Sequence, residues 1–474
     1  MNRTALRRRA QHGLARTPLV GNPVVLRWLA LVLVLVLAAV IGWLAWRPDH
    51  PGSHRAAGTT GSASADVPGA GPAAPPGQDE IAAVMQLLGR HARELTGRDE
   101  AGWDGDLDVA AAADGYRNQE RAAFTALAGV PLSVWRYVLL APVTDPTVLQ
   151  PAASRLAGRV VVLHVQLQYG FQRVDPLPTA KDEWLTAVHR PAGWRLAADT
   201  DTEAGGGASW HGPWDFGRLL VSTGPHTLVL AHPAHRADLA IFGQLVERSV
   251  PVVTSVWGSG WNDQVCVLVP DSTAEFQAVT GDGADSHDIA AVAVADSRSP
   301  DPAANPKQAV LGARIVLNPV NLSRLDAAGR RLVIQHELTH VATRAVTDDQ
   351  MPDWLIEGFA DYVGNLGSGR TAPDAAPELT SDVRAGRLPA ALPSAADFDS
   401  GNRLPQLYEE AWLACRLIAE RIGQRGLVRF YTTVARATDQ NPATALASAL
   451  RALLRTSLPA FTADWREYLR IQLG

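Results

Sequence analysis

Cysteine is nearly missing from this 474-residue chain: Cys266 and Cys415 are the two it has, and no CxxC occurs. That excludes a disulfide framework, a cysteine-built structural metal site and dithiol redox chemistry. The two thiols either pair or sit as isolated buried groups, Cys266 in an apolar strand and Cys415 on a helix. Lysine is as scarce, confined to Lys181 and Lys307, and arginine with alanine takes up the composition, a pattern that points to a GC-rich bacterial genome. No acidic residue occurs before Asp49 and no histidine after His340. Long apolar runs are also rare, and the one that spans a bilayer's thickness lies near the start of the chain.

That run extends from Trp28 to Trp46 and follows Arg3, Arg7, Arg8, Arg9, Arg16 and Arg27. About 19 apolar residues with a tryptophan at each end match one membrane crossing with interfacial anchors, and the arginines place the N-terminus in the cytoplasm. Trp43-Leu-Ala-Trp-Arg-Pro lacks the small-residue site that follows a cleaved signal peptide, so the reading is an uncleaved single-pass anchor. Residues 1–27 are then a basic cytoplasmic tail, 28–46 the transmembrane anchor, and the rest extracytoplasmic at the cell membrane. The first 47 residues hold seven arginines, leaving 36 basic against 48 acidic residues beyond them, a formal −12. Such an acidic body argues against nucleic acid as a partner. Residues 47–78 are rich in Gly, Ala, Ser and Pro and cannot bury enough surface to order themselves, as expected of a flexible linker.

The chemistry concentrates at His336-Glu-Leu-Thr-His340 and, seventeen positions later, Glu357-Gly-Phe-Ala-Asp361. Residues four apart share a helix face, so His336 and His340 can offer two imidazoles to one metal ion, with zinc the natural occupant by ligand type and manganese or cobalt also compatible. Glu337 points about 100° away from His336. Its carboxylate falls beside the metal, where it can take a proton from the attacking water. The spacing predicts a helix over 329–345 and a second one starting at Pro352. On that second helix Glu357 and Asp361 share a face. Glu357 is the best candidate for a third ligand, leaving the fourth position open as catalytic zinc requires. Asp361 is either a hydrogen-bond partner of an imidazole N–H or a surface carboxylate.

These residues resemble the gluzincins, the thermolysin-like metallopeptidase clan, and most closely a short bacterial branch with HELTH followed by P-x-WLxEGFAxY. The resemblance implies His336, His340 and Glu357 as zinc ligands, Glu337 as general base and Asp361 as the partner of a ligand histidine. The interval between His340 and Glu357 is shorter than in thermolysin, and with no later histidine the group that thermolysin uses on the transition state is missing. Similar peptidases carry a tyrosine at the start of the helix that follows, which here is Tyr408. Tyr408 either donates to the developing oxyanion or is a helix-start aromatic packing on the core. Arg403 is a further candidate for carboxylate or oxyanion binding, with surface charge as the plainer reading. His232 and His235 also stand in an HxxH spacing, without an acidic partner at a useful interval, and read as surface or turn residues.

The pattern around these motifs predicts an α+β chain. Residues 79–203 show two helical stretches (80–95 and 115–127), then strand-like runs at 132–140, 159–171, 183–189 and 194–197. Helices first and long strands ending in Gly193-Trp-Arg-Leu-Ala-Ala-Asp199 resemble the cone-like nuclear-transport-factor-like domains, which bind a ligand or serve only as spacers or dimerisation units. Residues 206–474 carry the gluzincin-type metallopeptidase domain: a mixed sheet, then a helical C-terminal part. Arg314-Ile-Val-Leu-Asn318 stands where gluzincins have an edge strand, able to pair with an extended peptide. Residues 364–405 read as a long loop, either a roof over the cleft or a passive surface segment.

The expected function is therefore a membrane-anchored zinc metallopeptidase, an endopeptidase by its open edge strand, acting on a peptide or protein substrate. The other class open to the sequence is a non-catalytic surface binding or scaffold protein that retains the fold. Retention of Glu337 counts against it, since a structural site has no use for an unligated carboxylate beside the metal.

Overall fold

The computed structural model describes residues 71–281, 290–295, 297–298, 310–322, 324–347, 350–438 and 442–474. The tail over 1–27, the anchor over 28–46 and residues 47–70 of the linker over 47–78 lie outside the described residues.

Helix α1 (Gln78–Gly97) forms because Ile81, Val84, Leu87, Leu88, Ala92 and Leu95 recur at helical spacing, and all are buried. The Glu80 carboxylate accepts from Gly77 N at 2.9 Å and closes the first turn. After α2 (Asp114–Ala126) come β1 (Leu132–Pro142), α3 (Pro146–Leu156), β2 (Val160–Phe171), β3 (Thr179–Arg190) and β4 (Gly193–Ala198). The four strands make an antiparallel sheet in the order β1-β2-β3-β4. Val161, Leu163 and Val165 of β2 join the core shared with α1, whereas Val160 and Val162 face Leu149, Ala152, Ala153 and Leu156 of α3, so β2 is buried on both faces. Helix α3 was not expected. Pro151 interrupts its apolar pattern, but Asp145 accepts from Thr147 N at 2.8 Å and Pro146 occupies the first turn, which is enough to start a helix.

The second sheet contains β5 (Leu220–Thr223), β6 (Thr227–Ala231), β7 (Val265–Val269), β8 (Ala291–Val294) and β9 (Arg314–Leu317), in the order β5-β6-β7-β9-β8. The three central strands β6, β7 and β9 run parallel, and β5 and β8 lie antiparallel on the two edges. Helix α4 (Arg236–Trp257) crosses from β6 to β7 and runs through Pro251. It is long and apolar enough to cross a membrane by length and composition, yet it packs on β6 and on the helix carrying His336. Helix α5 (Thr273–Thr280) follows β7, with Ser272 Oγ accepting from Glu275 N at 3.1 Å. The remaining chain is helical: α6 (Ala327–Thr343), α7 (Asp353–Asn365), α8 (Leu404–Ile422), α9 (Gln424–Thr438) and α10 (Leu458–Leu473), among others.

Two expectations are corrected here. Arg314–Leu317 is an inner strand, paired on both sides, and β8 is the edge that borders the helices of the metal motif. The two are equally short, so periodicity could not rank them. Residues 364–405 are not a single loop: they hold short helices at Ala372–Ala375, Pro377–Arg384 and Ala395–Asp399. Two of these begin at Thr371 and Ser394 with an aspartate three residues on, reciprocal caps hidden in an Ala/Pro-rich stretch.

The two sheets are joined by a buried ion pair. Arg314 on β9 holds Asp175, in the turn between β2 and β3, through two bonds of 2.7 Å, and both side chains are almost wholly covered. The guanidinium also lies 4.7 Å from the centre of the Phe171 ring. Cys266 and Cys415 are both buried free thiols, which decides between the two alternatives left by the sequence.

Candidate metal centre

Helix α6 starts at Asp326, whose Oδ1 accepts from Gly329 N at 2.7 Å. It is buried on nearly every face, held between α4 and α7, which is why its apolar pattern looks weak despite its central position. Helix α7 approaches both its neighbours closely through glycine. An added Cβ at Gly364 would stand 3.4 Å from Leu332 O and 3.6 Å from His336 Cβ, and one at Gly358 only 2.2 Å from Ala411 O on α8. Gln335 Nε2 donates to Val363 O, and Arg331 donates to Leu366 O at 2.9 Å, tying α6 to the end of α7.

This packing brings His336, His340 and Glu357 together. Their facing atoms form a triangle: 2.9 Å between the two Nε2 atoms and 3.4 Å from each to Glu357 Oε2. Three ligands around a tetrahedral zinc at about 2.0–2.1 Å stand about 3.4 Å apart, so the triangle has the span such an ion needs. His336 Nδ1 lies 2.8 Å from Asp361 Oδ1. A proton held there leaves the Nε2 lone pair pointing into the triangle. Asp361 is thus a partner of an imidazole and not a surface carboxylate; it is 1 % exposed.

All four oxygens of Glu337 and Glu357 are buried with no hydrogen-bond partner among the described residues. Buried carboxylate oxygens left so are costly unless a cation or water meets them. The donor set therefore fits a divalent metal held by His336, His340 and Glu357. Burial works against ionisation of Glu357, but His340 and His336 outweigh it and hold its carboxyl at about 2. Burial pushes Glu337 up to about 8, with His336 opposing the rise and Glu357 adding to it. The backbone of Ala293 on edge strand β8 is close enough to Glu337 to pull in the other direction. Arg344, just past α6, donates to the Ala293 carbonyl. That arginine was missed in the sequence, where nothing tied it to a strand fifty residues earlier.

Tyr408 is fully buried on α8, and its ring meets Phe398 edge-on at 5.6 Å. Arg403 adopts a left-handed backbone (φ 56°) before α8 and pairs with Glu410 at 3.1 Å and Asp382 at 3.4 Å, so its charge is engaged in the fold. His232 is not a surface residue. It is 3 % exposed, with Nε2 at 2.9 Å from Glu275 Oε1 and Nδ1 at 3.1 Å from Arg218 O. Its acidic partner lies 43 residues away, beyond the reach of a local spacing argument. His235 is half-buried beside Asp238 and Asp271.

No protein-family model matches the chain, and no curated protein does. Among solved structures, it is similar to an M1 zinc metallopeptidase from Deinococcus radiodurans in a mutant form bound to a Tyr-Ser-Ala substrate, at 14% identity and a TM-score of 0.33, over 61% of this chain and 58% of that one. A second structure of an M1 zinc metallopeptidase from the same organism gives 15% identity and 0.32 over the same shares. A further mutant gives 12% and 0.32 over 66% of this chain and 90% of that one. The chain spans less than three fifths of the length of the first two. What the centre can do chemically comes from its own residues.

Proposed function

We propose that this chain is a zinc-dependent metallopeptidase that cleaves within peptide chains. The observation that carries the reading is the unpartnered Glu337 carboxylate beside a His-His-Glu triangle of zinc-sized span. A zinc ion there would supply Lewis acidity, polarising the scissile carbonyl and acidifying the attacking water. Glu337 accepts the proton of that water and delivers it to the leaving amine. Asp361 holds the His336 ring in the ligating tautomer. Edge strand β8, adjacent to Glu337, offers backbone groups to an extended substrate, which favours sequence-tolerant binding. We assign the hydrogen bond to the developing oxyanion to Tyr408, on the helix packed against α7. Residues 28–46 support a single-pass anchor that presents this site outside the membrane.

The test incubates the chain with a proteome-derived peptide mixture and reads new termini by mass spectrometry, with Glu337→Ala in parallel. Cleavage that the variant and a chelator both abolish supports the reading. Turnover unaffected by Glu337→Ala sinks it. Tyr408→Phe is expected to lower kcat by about a hundredfold with zinc content unchanged.

A further inference from the structure

Helix α1 carries two groups that its part in the core does not explain. His91 and Glu94 are three residues apart and so neighbours on its surface, and the short helix Glu100–Gly105 brings Asp106 back to them. One atom of each, an imidazole nitrogen and two carboxylate oxygens, lie within 4.8 Å of one another.

All three have bonding capacity left over. His91 is 1 % exposed, yet neither of its ring nitrogens has a hydrogen-bond partner among the described residues. The same holds for Oδ2 of the buried Asp106 and for Oε2 of Glu94. His91 Nδ1 stands 3.7 Å from Asp106 Oδ2, too far for a hydrogen bond. Donor atoms around an ion at about 2.1 Å stand about 3.0–3.4 Å from one another, so a small inward movement is all that ligation asks.

The neighbours leave these atoms free for that purpose. The His91 ring stacks on Trp103 with centroids 3.4 Å apart, which fixes its plane. Glu120 Oε2 faces the other nitrogen, Nε2, at 3.6 Å. Its charge favours a proton there, which turns the Nδ1 lone pair towards Asp106. Arg90 donates to Asp106 Oδ1 at 2.9 Å and approaches Glu94 Oε1 at 3.7 Å, occupying the opposite oxygen of each carboxylate. Leu196 N on β4 donates to Asp106 O at 2.9 Å and anchors that residue's backbone. Burial, and after it Asp106, raises the Glu94 carboxyl to about 7, as expected of two carboxylates facing each other with no cation between them.

We propose that His91 Nδ1, Glu94 Oε2 and Asp106 Oδ2 bind a second divalent metal ion of the zinc class. Two carboxylates neutralise its charge, and the imidazole selects against calcium and magnesium, which favour oxygen ligands. Solvent reaches the ion past Glu94, whose side chain is 14 % exposed. Bound there, it pins α1 to the segment that β4 holds. The proposal shares no residue with the peptidase reading and is independent of it.

The test uses the full chain carrying His336→Ala and His340→Ala, stripped with chelator and titrated calorimetrically with zinc ion. One equivalent is expected, against two for the parent. Zinc is the probe because it binds such donors more tightly than manganese or iron(II) does. Glu94→Gln in that background should weaken zinc by at least about tenfold, with near-UV circular dichroism confirming the fold. Should either variant fail to fold, anomalous diffraction from zinc-soaked crystals of the parent chain decides, with a peak expected between His91 and Asp106. No zinc bound by the folded double variant overturns the proposal and leaves Glu94 and Asp106 merely sharing a proton. Undiminished affinity after Glu94→Gln, or a map without a peak at His91, overturns it as well. A peak at His91 with none at His336 would instead sink the first centre and leave this one standing.

Discussion

Gly358 follows the proposed ligand Glu357, and the structure makes a sharp claim about it. A Cβ there would lie 2.2 Å from Ala411 O, 2.5 Å from Ala411 C and 3.1 Å from Cys415 Sγ. The first two are backbone atoms, so no rotamer change relieves the contact; α7 and α8 must separate by about 1 Å to restore van der Waals distance. In an unhindered helix, glycine to alanine would stabilise by about 0.5–1 kcal/mol. Overpacking a buried seam costs about 1–3 kcal/mol, at the high end where backbone has to move. Gly358→Ala is therefore expected to destabilise the chain by about 2 kcal/mol net. The same displacement carries Glu357 off the His336–His340 pair, so zinc affinity should fall along with stability. Thermal denaturation and a zinc competition titration read the two effects. A variant as stable as the parent, or more so, would mean the helices are not this close, and the placement of Glu357 would go with them.

Asp361→Ala removes the acceptor that orients His336, and zinc affinity is expected to drop about 10–100-fold, with a smaller loss for Asp361→Asn, which keeps an acceptor; a chromophoric chelator measures both, and unchanged affinity in the alanine variant removes Asp361 from the centre. Arg314→Met leaves Asp175 buried and unpaired and should cost about 3–5 kcal/mol, whereas Arg314→Met with Asp175→Ala should cost less than the sum of the two changes; additive losses in chemical denaturation would show that the pair does not join the sheets. Glu410 is raised to about 7, chiefly by burial, with Arg403 opposing. Its raised folded-state pKa means that its contribution to stability is complete below the ordinary glutamate value and is lost as pH rises through about 7. Glu410→Gln should thus gain stability relative to the parent between pH 5 and about 8, and parallel stability curves for the two proteins would contradict the assigned environment.

The grouping of His336, His340, Glu357 and Asp361 was legible because its geometry is local. His336 and His340 are one turn apart, Glu357 and Asp361 are one turn apart, and the cap and proline that begin each helix are written beside them. A strand dense in valine, such as Val160–Phe171, was legible for the same reason. What could not be read depends on partners distant in the chain. The sheet order that makes Ala291–Val294 an edge and Arg314–Leu317 an inner strand is decided by which strands β7 and β9 meet, and both segments have the same local signature. His232 finds Glu275, and Arg314 finds Asp175, across 43 and 139 residues. The cluster of indoles and carboxylates between the first sheet and α2 is the extreme case. Trp103, Trp135 and Trp214 each look like ordinary core residues, and Glu120, Glu183, Asp199 and Asp215 like solvated charges, and nothing in their spacing foretells that one enclosure holds them all.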